Sequence, residues 1–548
     1  MGGTGMKLPR ILMCLLLWGL LGANSVLFAG GTPANQEIQD LKAQVKVMME
    51  RIRQLEANQA KATAASADTE ALATRINEIE EKQKKAESGK FKAYWKDRFI
   101  LEWGNPSDEE FYRLRIRSGI QFRYTFVDTD NDVPSNAENY SSLIARRIRL
   151  FFDGNGPNKD WYYFMHLQLE PKSGVNMHDV FVKWQHYKFA QIQFGRMKIP
   201  YSMEYWQSGF RQNGADRTIF TGDSETDKDI FGNRTYDIPG DNARLRVGGH
   251  LDKVSGFPTG GMLLYRSQGI NLEGKLDLFG QKQFLAYWFG IYDGRDTQGK
   301  TNLDSNMLYS ARVGINFLPG SDPKGPLGPN GLKNYFQQGD YGYNTKPLAS
   351  IVFASFVDQD KMKNYYNPYN ASGHYGIKTS ATHDTFNYGF NTAFLFRFMG
   401  FSADLEGGWE EFVQAPDKPL EETWDRVGGR LNLGYFLVPR KWEITAKLAY
   451  LERLHDNNLY NSLSSGLGLV RLDNGYAIED NMQQYRIGIN WYLAGFKQYI
   501  STEIGWFRRE FDEIKRSEAA ALNFTGALSP DASSQDDIRF RIQYQQMF

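Results

Sequence analysis

Arginine at every second position is the chemistry this sequence offers most openly. Arg113, Arg115 and Arg117 alternate with Leu114 and Ile116, and Arg123 follows in the same parity. Near the end of the chain Arg539 and Arg541 alternate with Ile538, Phe540 and Ile542, and Arg147 and Arg149 flank Ile148. Successive side chains of an extended strand point to opposite faces, so each series gives a guanidinium row backed by an apolar row. A guanidinium presents forked donors that match carboxylate or phosphate oxygens. The residue types therefore point to oxyanion recognition, on elements with one wet face and one apolar face.

The run Ile538 to Phe548 shows what kind of element that is. It alternates strictly, with Ile538, Phe540, Ile542 and Tyr544 on one face and Arg539, Arg541, Gln543 and Gln545 on the other. A tilted strand of this length spans a bilayer, although an edge strand of a soluble sandwich has the same pattern. The start of the chain decides between them. Lys7 and Arg10 precede an apolar run from Ile11 to Leu21, and small residues follow around Ala23, Ser25 and Ala29. This pattern predicts a secretory signal peptide over 1–29. The one cysteine, Cys14, lies inside that run, so the mature chain is expected to carry no thiol, no disulfide and no cysteine nucleophile.

No later stretch is apolar for 18 residues, which argues against membrane helices. The 37 Phe, 30 Tyr and 12 Trp, with a mean hydropathy of −0.53, instead suit a barrel whose polar inner residues mask its lipid face from hydropathy. Formal net charge is zero, with 64 basic and 64 acidic residues, so only the segregation of charge between wall and loops can matter. Nothing suggests a nucleic-acid partner.

Residues 36–88 change to Ala, Glu, Lys, Gln and Arg. Ile38, Leu41, Val45, Met48, Ile52 and Leu55 follow a heptad seam, and Leu72, Ile76 and Ile79 resume it in a shifted phase. This predicts an α-helical coiled-coil arm, about 75 Å long if some fifty residues are helical. Residues 89–110 read as a linker. From Phe111 to Phe548, period-two segments recur between Gly, Asn, Asp and Pro, among them Leu114 to Phe126, Arg244 to Val247, Tyr309 to Phe317 and Ile500 to Trp506. The fold class is an all-β membrane barrel of about sixteen antiparallel strands, wide enough to enclose an aqueous channel. If the first strand rises from the periplasm, Lys198 to Asp241 forms the third external loop. It either narrows the pore from within or covers its mouth.

A family resemblance rests on an ordered set of motifs. They are Arg146-Arg147-Ile148-Arg149-Leu150, Phe194 to Glu204 (FGRMKIPYSME), Gly290-Ile291-Tyr292-Asp293-Gly294, Gly434 to Pro439 and Gln545-Gln546-Met547-Phe548. Over Phe111 to Phe548 the chain resembles the phosphate-selective porin O/P family. The resemblance implies a trimeric, sixteen-stranded outer-membrane porin and, in some members, an arginine-lined anion path.

In a closed barrel the last strand pairs with the first. Arg113, Arg115, Arg117, Arg123, Arg147, Arg149, Arg539 and Arg541 would then line three adjacent strands, with Arg244 and Arg246 on another. Like charges about 5 Å apart repel by roughly 3 kcal/mol at an effective dielectric near 20, a strain that anions in the pore would relieve. Arg146 falls on the outward parity. It lies either at a strand end, where an outward arginine costs about 0 to 1 kcal/mol, or on a bulge that turns it inward. Lys198, Arg211 and Arg217 are the candidate cations of the constriction loop.

Acids complicate the picture. Glu170, Asp404, Glu406, Glu443 and Glu503 share the inward parity, and the loop's acids, Glu204 and Asp216 among them, outnumber its cations. Opposed positive and negative walls would make a general, weakly selective porin. A third reading has the barrel as an anchor that tethers the envelope through the coiled coil. An enzyme is not expected, because no Gly-x-Ser-x-Gly, His-Glu-x-x-His or phosphate-loop motif accompanies the seven histidines. No metal site or cofactor is expected. The sequence thus points to passive diffusion of small hydrophilic solutes, with anions preferred and phosphate a candidate among them. The setting is the outer membrane of a Gram-negative bacterium, where the protein meets lipid, forms homotrimers and reaches a periplasmic or cell-wall contact through the arm.

Overall fold

The computed structural model describes residues 42–54, 74–78, 91–129, 139–169, 175–221, 262, 264, 266–293, 306–321, 336–362, 365–367, 376–378, 383–414, 422–453, 469–472, 475–512 and 534–548. The chain divides into two units, Met1–Glu87 and Ser88–Phe548. In the first, residues 42–54 and 74–78 are helical, and the seam residues Val45, Met48 and Ile52 are exposed. One chain gives the helix and its apolar stripe, not a pairing of helices. Ile38, Leu41, Leu55, Leu72 and Ile79 lie outside the described residues.

The second unit is a closed antiparallel barrel. Its strands are β1 (Tyr112–Thr129), β2 (Tyr140–Asn155), β3 (Trp161–Gln168), β4 (Asn176–Trp184), β5 (Gln191–Lys198), β6 (Arg266–Leu278), β7 (Gln281–Tyr292) and β8 (Leu308–Pro319). The second half comprises β9 (Leu348–Met362), β10 (His383–Phe398), β11 (Phe401–Gln414), β12 (Glu422–Val438), β13 (Trp442–Arg453), β14 (Gly475–Tyr492), β15 (Gln498–Asp512) and β16 (Ser534–Met547). Each strand pairs with the next, and β16 closes on β1 with Phe540 opposite Phe126 and Met547 opposite Gly119. Of the nineteen strands in the sheet three lie outside the ring, so the wall has sixteen. Two of the three form a hairpin, Lys92–Trp95 with Phe99–Trp103, that continues the edge of β1 from Tyr112 to Ile116. The range read as a linker therefore contains a hairpin.

Alternation decides which side chains face where. Along β1, Phe122, Tyr124 and Phe126 are exposed on the outer wall, while Gln121, Arg123, Thr125 and Val127 are fully buried on the inner side. The same alternation puts Ile538 and Ile542 outside and Arg539 and Arg541 inside. An apolar outer band on a closed barrel is the arrangement that lipid requires, since closure leaves no unpaired strand edge.

Among the register shifts of the described strands, two near the start of the barrel bring an extra polar side chain inward. Opposite Gln121 and Phe122 of β1 stand Arg147 and Ala145 of β2, so the register skips Arg146. This bulge turns Arg146 inward beside Arg147, and Arg146 is only 2% exposed. A second shift, between His166 and Leu167 of β3, does the same for His178 next to Asp179 on β4.

The β5–β6 connection is longer than the sequence suggests. The ring neighbour of β5 is Arg266–Leu278, and the predicted strand Arg244 to Val247 lies outside the described residues.

Candidate functional site: the plugged lumen

The β5–β6 connection enters the barrel. Its short helix α1 (Met203–Trp206) has no capping side chain of its own, so the barrel wall supplies one. Glu406 of β11 accepts hydrogen bonds from the Ser202 hydroxyl (2.8 Å) and from the amides of Met203 (2.6 Å) and Glu204 (2.9 Å). Arg430 of β12 balances that carboxylate, its Nε donating at 2.7 Å. At the other end Lys198 Nζ donates to the carbonyls of Tyr205 (2.7 Å), Trp206 and Gln207, and Arg217 donates to those of Glu204 and Gln207. An anion at the start and cations at the end suit the orphan groups of a helical turn.

The Glu204 carboxylate is fully buried between the loop and β12. It accepts from the hydroxyls of Thr218 and Thr221, each at 2.6 Å, and from Asn432 Nδ2 at 3.1 Å. Beyond it the loop returns to the opposite wall, where one buried carboxylate meets three guanidinium groups. Asp216 lies 2.6 Å from Arg123, 2.7 Å from Arg146 and 3.1 Å from Arg147. Next to it Glu503 of β15 takes Arg486 at 3.0 Å and Arg541 at 3.1 Å, and it accepts the Ala215 amide at 3.1 Å. The loop can come this close because residue 214 is glycine. A Cβ there would stand 3.0 Å from both Glu503 and Lys447.

A second segment enters from the opposite end. Between β8 and β9, residues 336–347 rise from the turn end of the barrel to meet the loop. Phe336 accepts the Ser208 amide (3.0 Å), and the Gln338 amide donates to the Arg211 carbonyl (2.7 Å). Tyr341 anchors this segment among Phe436, Tyr492 and Phe496. No periodic pattern announces this segment, because its stretch of the sequence is rich in Pro and Gly.

The arginines read from the sequence fall into two groups. Arg123, Arg147 and Arg541 gather around the Asp216 and Glu503 carboxylates, joined by Arg146, whose inward turn the bulge explains. Arg113, Arg115 and Arg117 stand apart at the turn end, with side chains 28, 25 and 29% exposed. There Arg113 pairs with Glu102 of the hairpin, and Arg115 and Arg117 pair with Asp153. Arg149 is buried on the inner wall, and Arg539 lies over the Phe507 ring at 4.1 Å. Arg244 and Arg246 lie outside the described residues.

The eight-arginine row is thus not a field of unrelieved repulsion. Carboxylates on adjacent strands and on the inserted loop sit between the guanidinium groups. This also accounts for the loop's acids, two of which, Glu204 and Asp216, face wall cations. Of the loop cations, Arg217 lies 4.9 Å over the Tyr205 ring, Lys198 closes β5, and Arg211 reaches Gln337 at 3.2 Å.

Sequence reasoning missed Arg312 of β8, one of the largest fully buried side chains. Tyr309 and Phe317 are exposed on the outer wall, and the parity they set places Arg312 inside, so the signal was present.

Residues 115–236 match the family of phosphate-selective porins O and P. No curated protein matches the sequence. Among solved structures the chain is similar to OmpT, an outer membrane protein of Vibrio cholerae in its trimer form, at 12% identity and a TM-score of 0.43. That match covers 80% of this chain and 99% of the other. It is also similar to the outer membrane channel DcaP of Acinetobacter baumannii (11% identity, TM-score 0.41, covering 80% and 97%). A third similar structure is an anion-selective porin from Comamonas acidovorans (11%, 0.41, covering 79% and 99%).

Proposed function

We propose that this chain, whose residues 115–236 match the phosphate-selective porin O and P family, passes small hydrophilic anions by passive diffusion through the outer membrane. The observation that carries the reading is the order of inward arginines along β1 and β2. Arg113, Arg115 and Arg117 stand partly exposed at the turn-end mouth, and Arg149, Arg147 and Arg123 continue inward to the plug. An anion entering at that mouth meets partly hydrated guanidinium groups, paired with Glu102 and Asp153, before the buried pairs around the plug. Such a row concentrates anions at the mouth and offers forked donors along the wall. The protein acts as a channel rather than an enzyme. The turn end faces the periplasm, the arm over 36–88 lies there as a coiled coil after removal of 1–29, and the barrel assembles as a homotrimer.

Single-channel recording in planar bilayers tests this, with a chloride gradient for reversal potential and added phosphate as a blocker. Reversal near the anion limit supports the reading, and block at low phosphate extends it to phosphate. A reversal potential near zero would replace it with a general, weakly selective porin. The paired state of Asp153, Asp216 and Glu503 with their arginines favours that second reading. A protein that gives no current, and whose envelope attachment is lost when 36–88 are deleted, would be an anchor.

A further inference from the structure

Part of the inner wall across β7 to β10 is apolar. Ala286, Trp288, Leu348, Val352, Ala393 and Leu395 form a buried cluster there, with Met203 and Trp206 of α1 packed on it. Arg312 lies at this patch, 1% exposed. Its guanidinium is 5.1 Å from the Trp206 ring and 5.5 Å from the Trp288 ring. The two indoles are edge-to-face with centroids 5.9 Å apart.

What this arginine lacks is an oxygen. Arg146, Arg147, Arg397, Arg426, Arg430, Arg486 and Arg541 each have a carboxylate partner. Arg312 has none among the described residues, and its Nε and Nη1 have no hydrogen-bond acceptor. Its Nη2 meets the Met203 thioether, a weak acceptor for a charged donor. Glu406, the carboxylate whose charge reaches it, is already engaged by Arg430, Ser202 and the amides of α1. Leaving donors of a buried cation unmet is costly, and methionine is the side chain best able to move aside.

We propose that Arg312 is a binding site for the carboxylate of a small organic acid whose apolar body lies on the Trp206, Trp288 and Val352 surface. The carboxylate displaces the Met203 thioether and accepts from the guanidinium edge, and the indoles cover the flat sides. Apolar surroundings select against inorganic phosphate, which would lose hydration on every oxygen for few donors, and favour a monoanion with a flat hydrocarbon body. The proposal rests on the channel reading above and gives it a solute class.

Calorimetric titration of the folded full-length protein in detergent micelles tests it, with benzoate, its neutral analogue benzamide, and inorganic phosphate as probes. Benzoate is expected to bind saturably and about tenfold or more tighter than either of the others. Arg312→Gln should remove that advantage and Arg312→Lys should keep part of it. Equal affinity for benzoate and benzamide, tighter binding of phosphate, or benzoate binding unchanged in Arg312→Gln would overturn the assignment. Should the variants not fold, the three-probe comparison on the unaltered protein decides alone. Binding needs no current. Benzoate binding without conductance would therefore fail the channel reading alone, and conductance without benzoate binding would fail Arg312 alone.

Discussion

Asp216 holds three guanidinium groups, and each of the four side chains is almost wholly withdrawn from solvent. Burial alone would raise the pKa of this carboxyl. Arg146, Arg147 and Arg123 outweigh that and hold it well below the ordinary carboxylate range. A carboxyl depressed in the folded state contributes stability that is complete above its unfolded pKa of about 3.9 and is lost as pH falls through the lower folded value. Conductance recorded from pH 7 down to about 4 should therefore show no opening that depends on Asp216, with any such opening confined to stronger acid. Asp216→Asn should act at all pH values, because it leaves buried cations uncompensated at a cost of about 3 to 5 kcal/mol. A lower temperature for heat-induced mobility loss in SDS gels, together with larger and noisier channel currents, would be its signature. At this scale parity was readable and partnership was not. Arg123 and Arg147 face inward by simple alternation, but their carboxylate lies 93 and 69 residues away in sequence, on a segment with no period of its own.

Among the elements, the bulge in β2 has the clearest consequence. Below it Arg147 and Arg149 face inward, above it Ile144 does, and Arg146 is the extra residue between the two phases. Deleting Arg146 would make the alternation continuous without inverting either half. The expected product is a folded barrel with one fewer ligand on Asp216 and a plug less firmly held, read as raised conductance with unchanged circular dichroism. The sequence flagged this position, since Arg146 alone broke parity within its strand. It gave no comparable flag for the segment between β8 and β9. Tyr341→Ala should release that segment from Phe436, Tyr492 and Phe496, and protease added at the turn end should then cleave within 336–347 faster than in the parent protein. Unchanged cleavage would mean that hydrogen bonds to the loop, rather than the aromatic anchor, hold it in place.

For the whole molecule, strand count and closure followed from repeated alternation, which is a local property. The filling of the lumen followed from contacts such as Ser202 with Glu406, 204 residues apart, which no local pattern encodes. Charge is graded accordingly, with buried ion pairs around the plug and three partly exposed arginines, paired with Glu102 and Asp153, at the turn-end mouth. Fields from exposed charges are screened within about 10 Å at 0.1 M salt and about 3 Å at 1 M. Anion preference carried by that mouth should therefore weaken steeply between these concentrations, and reversal potentials measured at both would check it. A preference that survives high salt would locate selectivity deeper, among groups that salt does not reach.

The hairpin beside β1 also bears on how the barrel withstands force. Lys92 stands opposite Glu102 and Trp95 opposite Phe99, while Phe99 to Trp103 lie against Ile116 to Tyr112 of the wall. A pull on the chain ahead of Lys92, directed along these strands, shears the hairpin. It loads the four pairs of the hairpin together rather than one after another. Until that clasp slips the wall bears no more tension than its four pairs can transmit, so the hairpin would act as a mechanical fuse that caps the load on the seam between the first and last strands.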